Sequence, residues 1–240
     1  MTQLLICGDP HGNWKPLLRA FQHSKPGEYA AVVLAGDCDL ERPLAEVLAP
    51  IYRTDTPVYW ILGNHDTDKA SWYRNLLDCG PGGDISGRVV DIGGLRVAGL
   101  GGTPHNEVWM PVEGDEAASF GTRQEMLEGR NERWEGGLPL PYRSALWQED
   151  ILALYGETVD ILITHAAPST HPKRYGYVAI DDAVADTGAR LLIHGHNHKS
   201  ERYITRDGVP VRSLEKAEVL NLTMEPRLTL EQSALGSKRG

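Results

Sequence analysis

Five short apolar runs in this chain each stop at a turn bearing aspartate, asparagine or histidine, and no other feature restricts the possible folds as tightly. QLLIC runs into GDPH, AVVLA into GD, VYWIL into GNHD, DILIT into a histidine and RLLIH into GHNH. Runs of this length closed by turn residues are too short for helices and read as buried strands. Between them lie segments with helical spacing. In NWKPLLRAFQHS, Trp14, Leu17, Leu18 and Phe21 fall at i, i+3, i+4 and i+7, one face of an amphipathic helix. LAEVLAPIY, the stretch from Lys69 to Leu77, ALWQEDILALYG and IDDAVADTG also read as helices. Strands alternating with helices imply an α/β chain. Two hairpins, turning at Gly93-Gly94 and Asp207-Gly208, and a last strand around VLNL make the sheets mixed.

With 240 residues and 41% apolar side chains, the chain can bury a sizeable core, and one domain over 1–240 is expected. From Thr103 to Trp147 the periodicity is lost, so 103–147 reads as an insertion with at most one helix. The last residues, 233–240, read as a flexible tail. The charge of −9 argues against avid binding to nucleic acid, which needs Lys and Arg to neutralise phosphates. Cys7, Cys38 and Cys79 show no zinc-type spacing and cannot all pair, which suits a reduced, cytoplasmic protein. No run reaches the length of a membrane span, and no membrane partner is expected.

In open α/β folds, ligands bind beyond the carboxyl ends of strands. The five junctions therefore aim Asp9, His11, Asp37, Asn64, His65, His165, His196 and His198 at one rim. Alternation in an extended chain puts Asp9 and His11 on one side, and likewise His196 and His198. Gly8, Gly36, Gly63 and Gly195 each precede a candidate by one residue, where the backbone must turn sharply or approach closely. A mixed nitrogen and oxygen set suits Mn²⁺, Fe, Zn²⁺ or Ni²⁺ better than Ca²⁺ or Mg²⁺.

The series DxH, GD, GNHD, H and GHNH resembles the motif pattern of the calcineurin-like metallophosphoesterases, from Asp9 to His198. The resemblance implies a four-layer α/β/β/α sandwich with a two-metal site at the strand ends. One ion would take Asp9, His11, Asp37 and His198. The other would take Asp37, Asn64, His165 and His196, with Asp37 bridging. Two divalent transition-metal ions, manganese first among them, would supply a hydroxide that attacks phosphorus in line. His65 would face the substrate without binding metal, and Asp66 is expected to orient its imidazole. His194, one step back, is expected to be structural or to support the ligands from behind.

The implied substrate is a small phosphate ester. A diester is favoured, because the motifs resemble those of small diesterases more than those of protein phosphatases, whose GDxxDRG block is altered here to GDCDLER. The rivals are a phosphomonoesterase, a nuclease (which the acidity opposes) and an inactive scaffold (which the full ligand set opposes). Asp39 reads as a cap or turn residue and Cys38 as a small buried filler. His105, Arg123, Arg130, Arg133, Lys173 and Arg174 are candidates for substrate contact, and Trp109 and Trp134 for an apolar wall beside the metals. The sequence gives no oligomeric state.

Overall fold

The computed structural model describes residues 1–25, 27–112 and 117–227. The tail at 233–240 lies outside the described residues. The first sheet is built from β1 (Thr2–Cys7), β2 (Ala31–Leu34), β3 (Val58–Trp60), β4 (Gly82–Asp84) and β13 (Val219–Met224). Their spatial order is β13-β1-β2-β3-β4. β1 to β4 run parallel, and β13 closes the edge antiparallel to β1. Short helices α1 (Lys15–Gln22), α2 (Leu44–Val47), α3 (Ala49–Tyr52) and α4 (Ala70–Leu77) connect this part of the chain.

The second sheet contains β5 (Val89–Ile92), β6 (Leu95–Leu100), β7 (Ile161–Thr164), β10 (Leu191–His194), β11 (Glu201–Ile204) and β12 (Pro210–Ser213). Its order is β11-β12-β10-β7-β6-β5. The four central strands are parallel and both edge strands antiparallel. Helices α5 (Arg123–Gly129), α6 (Leu140–Arg143), α7 (Gln148–Leu152) and α8 (Val178–Thr187) belong to this half, with a two-stranded pair, β8 (Ala167–Pro168) and β9 (Gly176–Tyr177).

The strand period of two sorts the apolar residues into layers. On β1, Leu4 and Ile6 join Val33, Ile61, Val97, Ile161, Ile163 and Ile193 in a cluster drawn from both sheets. Leu5 and Cys7 face the other way, onto Leu17, Leu44, Leu48 and Ile51 of the first helical layer. Leu162 and Leu192 face Ile180, Val184 and Trp147 on the far side. The result is an α/β/β/α sandwich, as expected.

Three expectations change. LAEVLAPIY is two helices that meet at Leu48, with Pro50 in the first turn of the second, where its missing N–H costs nothing. The segment 103–147 holds two short helices, α5 and α6, where at most one was expected. It also contributes Val108, Trp109, Met126, Leu138, Tyr142 and Trp147 to the outer core. Trp109 is buried there, while Trp134 packs edge-on to Tyr73 and under the guanidinium of Arg143. The wall expected of them beside the metals is therefore withdrawn.

Candidate metal centre

Parallel pairing puts the carboxyl ends of β1, β2 and β3 side by side, and those of β7 and β10 likewise. The chain must leave each strand abruptly to aim a side chain across the rim, and the backbone records this. Asp9, His11, Asp37, Asp39, His196 and His198 all have positive φ, between 38° and 64°. They are six of the ten described non-glycine residues in that region. Each costs roughly 1–2 kcal/mol, so the strain is concentrated where the side chains converge. Hydrogen bonds hold these turns: the His11 amide donates to the Asp37 carbonyl at 2.9 Å, and the His196 amide to Asp9 Oδ2 at 2.7 Å. Glycines give clearance here, Gly36 against the His165 ring among them. A Cβ at Gly63 would overlap the Asp37 carboxylate, and one at Gly195 the Asp9 carboxylate.

Two groups of ligand atoms result. Asp9, His11, Asp37 and His198 form one, and Asp37, His165 and His196 the other. Asn64 joins the second, its Oδ1 lying 3.2 Å from His165 Nε2. Asp37 is common to both. Its Oδ1 accepts the His65 amide at 2.9 Å. Its Oδ2 lies 3.6 Å from His11 Nε2 and 3.4 Å from His165 Nε2, between the two groups.

Proton placement shows that these groups fit metal ions. His11 Nδ1 donates to Asp39 Oδ2 at 2.8 Å, and His165 Nδ1 donates to the Ala35 carbonyl at 2.8 Å. Their Nε2 atoms then present lone pairs inward. His11 Nε2 faces His198 Nε2 at 3.1 Å, and the buried Asp9 Oδ1 has no hydrogen-bond partner. Donors about 2.1 Å from a shared ion lie about 3.0–3.4 Å apart, close to these spacings. His196 is pulled down to about 4, by burial first and then by the charge of His165, so it is a neutral donor. Burial also depresses His165, but the Asp37 charge outweighs that and lifts it to about 10. That potential attracts a cation, whether proton or metal.

His65 is half-exposed at the rim, its ring 5.4 Å from that of His11. The expected role of Asp66 is corrected. Its buried carboxylate accepts the amides of Asp37, Cys38 and Gly63 at 2.7–2.9 Å, leaving it no part in steering the imidazole. Asp68 does that, taking His65 Nδ1 at 2.7 Å. One turn of 3₁₀ helix, Asn64–Thr67, brings residue i+3 back beside His65 while residue i+1 points inward. Asp39 is likewise more than a turn residue, since it fixes the tautomer of His11. His194 is fully buried, donates to the Gly195 carbonyl and accepts from Tyr203 at 2.6 Å. Cys38 is a buried filler.

The arginines proposed for substrate contact are used elsewhere. Arg123 pairs with Glu149 and Asp150, Arg130 with Glu107 and Tyr142, and Arg133 with backbone carbonyls of Leu127 and Arg130. His105, by contrast, borders a cavity that reaches Asn64.

A fold of two mixed sheets with paired His/Asp clusters at their strand ends defines a class of metal-dependent hydrolases. The chain belongs to the calcineurin-like phosphoesterases, whose family model matches residues 2–200. An uncharacterized protein of Haemophilus influenzae is 32% identical over 222 residues, covering 90% of this chain and 94% of its own. Among solved structures, a dimetal phosphatase from Danio rerio is similar at TM-score 0.55 and 13% identity, covering 90% of this chain and 88% of its own. A phosphopantetheinyl hydrolase from Mycobacterium tuberculosis is similar at 0.53 and 15%, covering 95% and 98%. At these identities the two structures bear on the fold alone. The chain is thus a metallophosphoesterase with a candidate dimetal site.

Proposed function

We propose that the protein hydrolyses a phosphodiester with two divalent transition-metal ions, Mn²⁺ foremost. One ion is held by Asp9, His11, Asp37 and His198, the other by Asp37, Asn64, His165 and His196. The observation that carries this reading is the placement of Asp37 Oδ2 between both groups of lone pairs, facing His11 Nε2 at 3.6 Å and His165 Nε2 at 3.4 Å. When bound, such a pair of ions polarises a phosphoryl group and lowers the pKa of water. The protein's own share is to hold His196 as a neutral donor, to draw a cation to His165 through the Asp37 charge, and to present His65 at the rim. There the His65–Asp68 pair can stabilise developing charge or give a proton to the departing alcohol. Burial works against the charged form of His65, but the hydrogen bond to Asp68 and the charge of Asp37 leave its pKa raised. It therefore holds a proton more readily than a free imidazole.

The diester preference rests on charge. A monoester carries about two negative charges, and Arg123, Arg130 and Arg133 are all engaged in other pairs. A diester carries one, which two ions and His65 can balance. The free Cys7, Cys38 and Cys79 suit work in a reducing compartment such as the cytoplasm. Among the described residues no helix is long and apolar enough to cross a membrane.

The test is a screen of mono- and diesters against Mn²⁺, Fe²⁺, Ni²⁺, Zn²⁺ and Mg²⁺, with metal content measured on the loaded protein. Two ions per chain and faster diester turnover are expected. One ion at full loading would remove the two-metal assignment, and monoesters as the better substrates would remove the diester preference.

A further inference from the structure

Beside the metal centre a cavity of about 410 Å³ is lined by Asn64, Thr67, Asp68, Thr103, His105, Pro141 and Ser144. We propose that it receives one ester substituent of the substrate and selects an uncharged, hydroxyl-bearing group, such as a glycerol or sugar moiety. This deepens the phosphoesterase reading and rests on it. Asn64, on the cavity wall, is a candidate ligand, so a group bound here is continuous with a phosphate at the ions.

The hydrogen-bonding groups decide the chemistry. His105 Nδ1 accepts the Glu107 amide at 3.2 Å, which puts the ring proton on Nε2 and makes that atom a donor. Asp68 gives Oδ2 to His65, leaving Oδ1 as an acceptor. Thr103 is tied through its backbone to Ser144 and Leu146, and its hydroxyl can both give and accept. Two lining hydroxyls are already satisfied: those of Thr67 and Ser144 bond each other at 2.5 Å. Fixed donors beside fixed acceptors match alcohols, since each hydroxyl is both.

Other substituents fit less well. Among the described residues neither Lys nor Arg lines the cavity, and Asp68 would repel a second phosphate or a carboxylate. The ring of His105 stands edge-on to Tyr142 at 5.3 Å, and among the described residues no Phe, Tyr or Trp lines the cavity to stack a nucleobase. An alkyl chain would leave the polar groups without partners, the situation in which a polar site discriminates most strongly.

The metal-loaded protein should be assayed on methyl glyceryl phosphate and methyl propyl phosphate, which differ only in two hydroxyls. The glyceryl ester should have the higher kcat/KM by about 10–100-fold. His105→Phe and Thr103→Val should each shrink that ratio by roughly tenfold, with circular dichroism reporting the fold of each variant. Equal rates on the two esters would overturn the subsite while leaving diester hydrolysis standing, and so would a ratio unchanged in both variants. If only monoesters are cleaved, the diester reading falls. Calorimetric binding of glyceryl and propyl phosphate then decides the subsite, with tighter glyceryl binding supporting it and equal binding removing it.

Discussion

Asp66 and Asp68 lie two positions apart in and beside one helical turn and do different work, which makes them separable by mutation. Asp66 ties the turns of β2 and β3 together through three backbone amides. It is fully buried, and its pKa is pushed up to about 7 by burial and then by the charge of Asp37. Asp66→Asn should lower unfolding free energy by about 1–3 kcal/mol, read by urea denaturation. Asp68 is exposed and its carboxylate pairs with His65. Asp68→Asn should leave the urea midpoint in place and reduce turnover by roughly 10–100-fold, as for loss of an outer partner of a site imidazole. His65→Ala should cost about 10²–10⁴-fold with both ions retained, more on an alkyl ester than on a nitrophenyl ester, whose leaving group needs no proton. Equal losses on the two esters would restrict His65 to positioning or charge stabilisation. Asp37→Asn should be the most damaging ligand change, losing more metal and more activity than His11→Ala, because Asp37 alone serves both groups. The candidate ligands were legible in the sequence because each follows an apolar strand. The choice between Asp66 and Asp68 was not, since it depends on the rotation of a 3₁₀ turn, which residue types do not reveal.

At the scale of elements, strands β1, β2, β3, β7 and β10 could be read from composition alone, because each is apolar on both faces, as in a sheet covered on both sides. β4 escaped notice. It is Gly82-Gly83-Asp84, with no side-chain pattern to mark it, and among the described residues it pairs only with β3. The segment 103–147 was misjudged for a related reason. Its buried residues come from turns and from helices of four to seven residues, too short to establish a period. An insertion could be removed by joining Gly102 to Ala145 with the fold retained. The burial of Val108, Met126, Leu138 and Tyr142 against α7, α8 and the second sheet predicts that such a chain fails to fold cooperatively. A milder probe is Met126→Ala. That side chain is fully buried, so the change should cost about 2–5 kcal/mol. A shift in the urea midpoint worth less than 1 kcal/mol would show that the segment is an appendage after all.

For the whole molecule, the metal centre is a seam between two sheets. Asp9, Asp37 and Asn64 follow strands of the first sheet, and His165, His196 and His198 follow strands of the second. Together with the apolar layer between the sheets and the Gly102 amide bond to the Leu62 carbonyl, this cluster joins their carboxyl ends. Without metal, the join includes a proton on His165 shared with Asp37, and linkage gives its pH dependence. The folded pKa of His165, about 10, lies above the unfolded value near 6.5. Its contribution is therefore complete below pH 6.5 and is lost as pH rises toward 10. His194 and His196 act in the other direction. Burial holds them at about 3 and about 4, so they destabilise the fold as pH falls below 6.5. The metal-free protein should be most stable near pH 6.5 and lose stability steadily between pH 7 and 10. An ion that replaces the proton removes that alkaline slope and adds stability by mass action, about 2.7 kcal/mol at 100 times its Kd. Calorimetric Tm values at pH 6.5, 8 and 9.5, with chelator and with Mn²⁺, measure both effects. If the chelated protein keeps a level Tm from pH 7 to 9.5, the His165–Asp37 proton does not hold the seam. A slope of equal size with metal bound would place its origin outside the cluster.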